Sequence, residues 1–335
     1  MAVPSVLIVG GGISGFAAAK SLAEAGVSCT IVDRGKRLGG RMAVRTLRDP
    51  GSRWDGRPVD IGASYFTVRD PAFASLVAHW ETLGLARPWT DSLGVAGPDG
   101  LTGLSSGQMR WSAPAGLRSL VEHMASSLDS DSVHHPREVA EVSWRDGQPW
   151  ADGEPYDLVL LCGPDPQMLR LLSGDATDPI TAVLSDSQWE PVLALTAVYD
   201  KRHWPHITGI FVNDSDVLGF VADDGSRRGD DAPVLVAHAA SHFAAQHLAD
   251  PAAAGPAMVE ATHRVLGISA EPLHTHVQRW SLARPLAGRD EPHLLNERLG
   301  IGLAGDSWHG GPRVEAAWLS GTSLGRAAAT RLLSG

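Results

Sequence analysis

Val6-Leu-Ile-Val-Gly10-Gly-Gly12-Ile-Ser14-Gly15 decides how this chain is read, because Asp33 closes the next apolar run, 23 residues beyond Gly10. Val6 to Val9 read as a buried strand, Ile13 to Ala25 as a helix closed by Gly26, and Val27 to Val32 as a second strand. Gly10 permits a tight turn, Gly12 lets backbone approach a pyrophosphate, and Gly15 lets helix lie close on strand. The helix start then offers free N–H groups and a positive dipole end to phosphates. An acid at Asp33 suits ribose hydroxyls. A glycine-rich turn in an ordinary α/β protein would share the glycines, but not the strand–turn–helix–strand–acid order.

Bulk composition narrows the function classes. The chain has 335 residues, enough for two domains, with 43% hydrophobic residues and a net charge of −10. That charge disfavours nucleic acid and anionic membrane surfaces, which need clustered Lys and Arg. No apolar run is long enough to span a membrane, and the first apolar run is the nucleotide strand itself rather than a signal peptide. Two cysteines, Cys29 and Cys162, lie in apolar runs without a CxxC pattern, which suits a reducing cytoplasm. His238/His242 and His274/His276 lack the further ligands of a metal site, so no metal is expected.

Further along, Arg34 opens a basic loop ending in Gly39-Gly40-Arg41, where Arg41 could make charge-assisted bonds to phosphate. Val59 to Phe66 reads as a strand running into a turn. Asp70 to Leu83 reads as a helix with Asp70 as N-cap and Pro71 at its first position. Gly103 to Ser112 reads as hairpin-like and Ala115 to Leu128 as helical. Asp146-Gly147 marks a hairpin turn, and Tyr156 to Gly163 a central parallel strand. Beyond Asp165 longer strands dominate (193–199, 209–213, 217–222, 234–238, 273–280), with helices near 240–249 and 254–266. Gly300 to Asp306 returns as a buried strand, and Pro312 to Leu333 as a closing helix. Asp306 at that strand end could hold a polyol hydroxyl, and the following helix start would face whatever sits beside Gly10–Gly15.

Together, Gly10–Gly15, Asp33, Gly39-Gly40-Arg41, Asp60-Ile-Gly-Ala-Ser64-Tyr65-Phe66 and Gly305-Asp306 resemble the amine-oxidase-like FAD flavoproteins. The segments 62–71, 278–285 and 314–321 are most similar to the bacterial renalase-like branch. The resemblance implies an α/β fold: a glutathione-reductase-type (Rossmann-like) FAD-binding domain, plus a smaller substrate domain with a mostly antiparallel sheet and helices. The expected bounds are 1–68, 103–164 and 285–335 for the discontinuous FAD domain, and 69–102 with 165–284 for the substrate domain. It implies a noncovalent FAD held by Gly10, Gly12, Ser14, Gly15, Asp33, Arg34, Gly40, Arg41, Ser64, Val139, Asp306, Val314, Glu315 and Ala316. At Asp33 the family more often has Glu.

Expected pocket residues are Tyr65, Phe66, Trp280, Arg284, Trp308 and His309. The reaction implied is oxidation of dihydronicotinamide isomers, such as 2- or 6-dihydro-NAD(P), to NAD(P)+. A hydride passes to flavin N5, and O2 reoxidation gives H2O2. No protein side chain is assigned a catalytic role, since the substrate brings its own hydride. Many amine oxidases use a lysine near the flavin, and here only Lys20, Lys36 and Lys201 exist, none placed there by pattern. Alternatives on the same fold are a flavin amine oxidase, a desaturase, or a non-catalytic flavin-fold binding protein.

Overall fold

Four wholly buried apolar residues, Val6–Val9, form the first strand of the computed structural model, which describes residues 4–48 and 53–334. An all-apolar run is stable only where both faces of a sheet are covered, and parallel strands meet that condition. Val6–Val9 pairs in parallel with Leu158–Leu161 on one side and Thr30–Val32 on the other. Ile301–Leu303 continues the parallel order beyond Leu158–Leu161, and Val133–His134 beyond Thr30–Val32. Leu294–Asn296 closes one edge antiparallel, giving a six-stranded sheet. The expected strands at both ends of the chain and in its middle thus meet in one sheet.

Two helices cover this sheet in close contact. Ile13–Glu24 follows the first strand, and Val314–Ser334 ends the chain. A Cβ at Gly321 would lie 2.0 Å from the Ser14 carbonyl oxygen, and one at Gly325 would lie 2.4 Å from that of Ala18. Only glycine permits backbones this near, so the spacing of four residues sets one bare stripe along the closing helix. Behind the sheet, Leu7, Val9, Val159, Leu161, Met168, Ile180 and Leu184 share one core. Asp146 and Gly147 take positive φ (54° and 83°) between Val142–Arg145 and Gln148–Ala151, the primed-turn geometry expected of Asp-Gly.

The chain divides into two compact units of similar length. One comprises 1–41, 121–189 and 284–335, the other 42–120 and 190–283. These bounds differ from the sequence-based ones. Residues 42–68 and 103–120 fall in the second unit, where Phe66–Thr67 and Gly100–Ser112 pair as strands. Residues 165–189 fall in the first, because Met168, Ile180 and Leu184 complete its core.

The second unit is built on an eight-stranded sheet. Its spatial order is His274–Pro285, Trp189–Val198, Val234–Ala239, Leu218–Asp223, Gly209–Val212, Arg87–Gly97, Gly100–Ser112 and Phe66–Thr67. Most pairs are antiparallel, and Gly209–Val212 with Arg87–Gly97 is parallel. The Arg87–Gly97 strand was not expected, since its polar and glycine-rich run shows no clean alternation. Leu195, Tyr199, Ile210, Leu235 and Ala237 belong to one core, with Met258 and Val265 of the helix Gly255–Leu266. Val198, Val234 and Val236 alternate with these and join Val59 and Ile61 in another. The helix Pro71–Thr82 begins as expected, with the Asp70 side chain accepting from the Ala72 and Phe73 N–H groups.

A buried ionic cluster ties this second unit together. Asp224 accepts from Arg57 at 2.6 Å, from Arg228 at 3.0 Å, and from Arg227. Asp60 accepts from Arg228 Nη2 at 2.9 Å and from the Leu117 N–H at 2.8 Å. Complete burial pushes the Asp60 carboxyl above the usual range despite Arg228 and Arg227. Burial acts on Asp224 in the same direction, but the three arginines Arg228, Arg227 and Arg57 outweigh it and hold this carboxyl well below that range.

Gly325→Leu should cost at least about 1–3 kcal/mol in urea unfolding, because it overpacks the helix pair. Asp224→Asn should cost about 3–5 kcal/mol by leaving buried guanidinium charge unbalanced. The Asp224 carboxyl has a folded pKa below its unfolded value of about 3.9, so its contribution is complete above that pH. It is lost as pH falls further, and acid unfolding of the wild type should flatten in Asp224→Asn.

Candidate functional site

The fingerprint residues form a backbone-lined cradle in the first unit. A Cβ at Gly15 would sit 2.0 Å from the Gly10 carbonyl oxygen, and one at Gly10 would sit 2.3 Å from that of Cys162. These contacts draw the helix start onto the strand end. Gly12 is different, because a Cβ there would meet nothing within 4 Å. Open space thus lies before the first turn of Ile13–Glu24, a turn with no side-chain cap and no acidic residue. Uncapped N–H groups facing open space suit a bound phosphate. Ser14 is buried in that first turn.

The second strand delivers Asp33 beside the cradle. Its Oδ2 accepts from the Gly11 N–H and its Oδ1 from the Gly35 N–H, each at 2.6 Å. A carboxylate has about four lone-pair sites, so Asp33 keeps capacity for ribose hydroxyls. The Arg137 N–H donates to the Asp33 carbonyl at 2.7 Å, which brings the segment carrying Val139 alongside. Val139 is buried in the core of that sheet, and Arg34 is exposed on the turn after Asp33.

The Gly39-Gly40-Arg41 loop closes on the fingerprint. The Gly39 N–H donates to the Gly11 carbonyl at 2.9 Å, and a Cβ at Gly40 would lie 3.7 Å from Gly12 Cα. Arg41 then reaches Asp306 in a two-pronged pair, 2.7 and 2.6 Å, with its guanidinium 5.0 Å from the Trp189 ring centre. Residues 265 positions apart in sequence thus meet beside one cradle. Both keep partial exposure, 25% and 13% of the side chain, so the pair remains open to a ligand. Val314, Glu315 and Ala316 occupy the first turn of the closing helix, with Glu315 and Ala316 buried.

A network absent from the sequence reading holds Asp306 in place. Asp165, 2% exposed, accepts from Ser307 Oγ at 2.8 Å and from Arg289 Nη1 at 2.7 Å. The backbone of 289–291 also grips this loop: Arg289 N–H donates to Ser307 O at 2.8 Å and His309 N–H to Glu291 O at 3.0 Å. Successive positive φ values at His309, Gly310 and Gly311 (58°, 77° and 126°) turn the chain into the closing helix. Gly163-Pro164-Asp165 at a strand end was the available signal for Asp165.

Of the residues expected to line a substrate pocket, Arg284, Trp308 and His309 fall in the first unit and Tyr65, Phe66 and Trp280 in the second. Phe66, 2% exposed, fills a core with Phe73, Trp80 and Trp111, ring centres 5.9 to 6.5 Å away. Trp308, 3% exposed, belongs to the core of the first unit and stacks under Arg289. It borders a cleft of about 650 Å³ with Val183, Arg289 and His293, which none of the cofactor residues lines. Trp280 is half-buried in the second unit and donates from Nε1 to the Ile61 carbonyl at 2.6 Å. His309 is half-buried and Arg284 exposed. Tyr65 is half-buried among aromatic neighbours. Ser64 lies in the second unit, with its carbonyl accepting from Arg227 and its hydroxyl buried without a hydrogen-bond partner among the described residues.

Cys162 sits at the strand end beside Gly10. Burial pushes its thiol up to about 12, and that of Cys29 up to about 11. Both remain protonated at neutral pH, so neither is a ready thiolate.

Cradle, acid and helix starts define a dinucleotide-binding α/β protein of flavoprotein type. The chain belongs to the flavin containing amine oxidoreductase family, whose profile matches residues 92–332, and an NAD(P)-binding Rossmann-like domain matches residues 8–80. FAD is accordingly its cofactor. A candidate protoporphyrinogen oxidase from Exiguobacterium sp. 255-15 has the same fold. It is 18% identical with a TM-score of 0.78, over 98% of this chain and 99% of that one. Cyclohexylamine oxidase from Brevibacterium oxydans IH-35A is 14% identical with a TM-score of 0.75, over 99% and 100%. Polyamine oxidase 5 of Oryza sativa subsp. japonica is 45% identical over 62 residues, 18% of this chain and 11% of that relative. The matched stretch therefore spans about a tenth of the curated relative.

Asp306→Ala should weaken FAD binding about 10- to 100-fold, because it removes an acceptor suited to a ribitol hydroxyl and releases the Arg41 guanidinium from the position its two bonds to Asp306 fix. Titration of deflavinated protein, followed by flavin fluorescence, checks it.

Proposed function

We propose that this protein is an FAD-dependent oxidase that removes a hydride from a carbon bonded to nitrogen in a small amine. The supporting observation is that the family match runs through 92–332 and so covers most of the second unit, rather than ending with the nucleotide fold. Bound FAD supplies the two-electron acceptor, and dioxygen is its oxidant, with hydrogen peroxide as product. Gly12, Ser14 and the first-turn N–H groups would hold the pyrophosphate, Asp33 the adenosine ribose, and Arg41 with Asp306 the phosphate and ribitol. Loss of hydride from the amine leaves an iminium, which water hydrolyses to a carbonyl compound and the free amine.

One observation favours a second reading, oxidation of 2- or 6-dihydronicotinamide nucleotides. All three lysines, Lys20, Lys36 and Lys201, are exposed. No lysine among the described residues is buried. A dihydropyridine needs no such group, because its own C–H next to nitrogen is the hydride source and the product is aromatic.

Anaerobic mixing with benzylamine, putrescine, and the 2-, 4- and 6-dihydro forms of NAD separates the readings. Rapid bleaching of the visible flavin band by an amine supports the first. Faster bleaching by the 2- or 6-dihydro forms replaces it with the second. No bleaching by any of them removes the oxidase reading.

A further inference from the structure

Arg110 is a buried guanidinium with no carboxylate partner among the described residues. It lies on the strand Gly100–Ser112, and the residue is 9% exposed. Its hydrogen bonds run from Nη1 to two backbone carbonyls, Asp91 at 3.1 Å and Gln108 at 3.4 Å. Its Nε is buried with no hydrogen-bond partner among the described residues. The other buried arginines of this unit behave differently, since Arg57, Arg227 and Arg228 each pair with Asp224. A buried cation is costly unless paired and hydrogen-bonded, so the lack of a paired anion at Arg110 is informative.

Aromatic rings surround it. The Arg110 guanidinium carbon lies 5.5 Å from the Tyr65 ring centre and 5.9 Å from that of Phe211. Tyr65 lies 6.1 Å from both Trp89 and Phe220, and Phe211 lies 5.5 Å from Phe220. Tyr65, Trp89 and Phe211 are only half-buried, so ring surface remains accessible. Trp89 Nε1 adds a second buried donor with no hydrogen-bond partner among the described residues. The rings come from four separate stretches of chain, gathered by the pairing of Gly209–Val212 with Leu218–Asp223 and Arg87–Gly97.

We propose that Arg110, with Tyr65, Trp89, Phe211 and Phe220, forms a subsite for a planar ring that carries an oxyanion. Cation–ring contact accounts for part of the charge at Arg110. A carboxylate or phosphate would accept a charge-assisted bond from Nη2, which makes no hydrogen bond among the described residues, and the ring would lie against the half-buried aromatics. The subsite disfavours dicationic aliphatic amines, which would meet a buried positive charge. Calling the bound molecule a substrate rests on the oxidase reading, whereas binding itself does not.

The holoenzyme is titrated with benzoate, phenyl phosphate and benzamide, and tryptophan fluorescence reports binding without turnover. Wild type should bind one or both anions more tightly than benzamide, and the stronger of them identifies the oxyanion. Arg110→Met should weaken the anions about 10- to 100-fold and leave benzamide within about twofold, while Arg110→Lys keeps part of the preference. Tyr65→Ala should weaken all three alike, which keeps the test open if Arg110→Met fails to fold. Equal binding of benzoate, phenyl phosphate and benzamide by wild type overturns the proposal. So does unchanged anion binding in Arg110→Met. Flavin reduction is measured separately, so failure of the oxidase reading leaves this outcome distinct.

Discussion

Close approach of bare backbone is the constraint on which the rest of this structure depends. Gly15 lies on the Gly10 carbonyl, Gly10 on that of Cys162, and Gly321 and Gly325 on those of Ser14 and Ala18. A side chain at any of these points would drive the helices and strands apart. Because none is present, the start of Ile13–Glu24 comes down on the sheet with its N–H groups uncapped and open space before Gly12. The Gly39–Arg41 loop closes on the same point through Gly11. A pyrophosphate at this cradle would be met mainly by main chain, whose donors need no rotamer ordering.

Charge is arranged around that cradle in a different manner from the second unit. Arg41 and Asp306 form a partly exposed pair, able to exchange some of their mutual bonding for bonds to a ligand. Asp165, through Ser307 and Arg289, fixes the loop that carries Asp306. In the second unit, Arg57, Arg227 and Arg228 satisfy Asp60 and Asp224 within a buried cluster. Such a cluster adds little net stability over an apolar core, but breaking one partner is costly. Arg110 stands apart from it, surrounded by rings rather than carboxylates.

Much of the nucleotide fold was legible because its signals are local. Glycine spacing, the apolar runs at Val6–Val9, Leu158–Leu161 and Ile301–Leu303, and the Asp70 cap each act within a few residues. The cofactor residues were assigned by position, since a resemblance carried on motifs transfers them that way. The substrate side was less legible. Phe66 and Trp308 looked like pocket residues, yet large aromatic side chains serve cores equally well, and both are buried in one. Asp165 and Arg110 gave little sign, because their meaning arises from partners more than a hundred residues away or from a missing partner. The strand Arg87–Gly97 escaped notice because long antiparallel pairing with Gly100–Ser112, not alternation, sustains it.

The backbone cradle is built to hold one FAD without a covalent bond. Equilibrium titration of the deflavinated chain with FAD and, separately, with FMN tests it most directly, followed by denaturation and separation of protein from flavin. One FAD should bind per chain, FMN should bind much more weakly because it lacks the adenosine and pyrophosphate, and the flavin should be released completely on unfolding. Failure to bind FAD, equal affinity for FMN, or flavin that stays with the unfolded chain would contradict it.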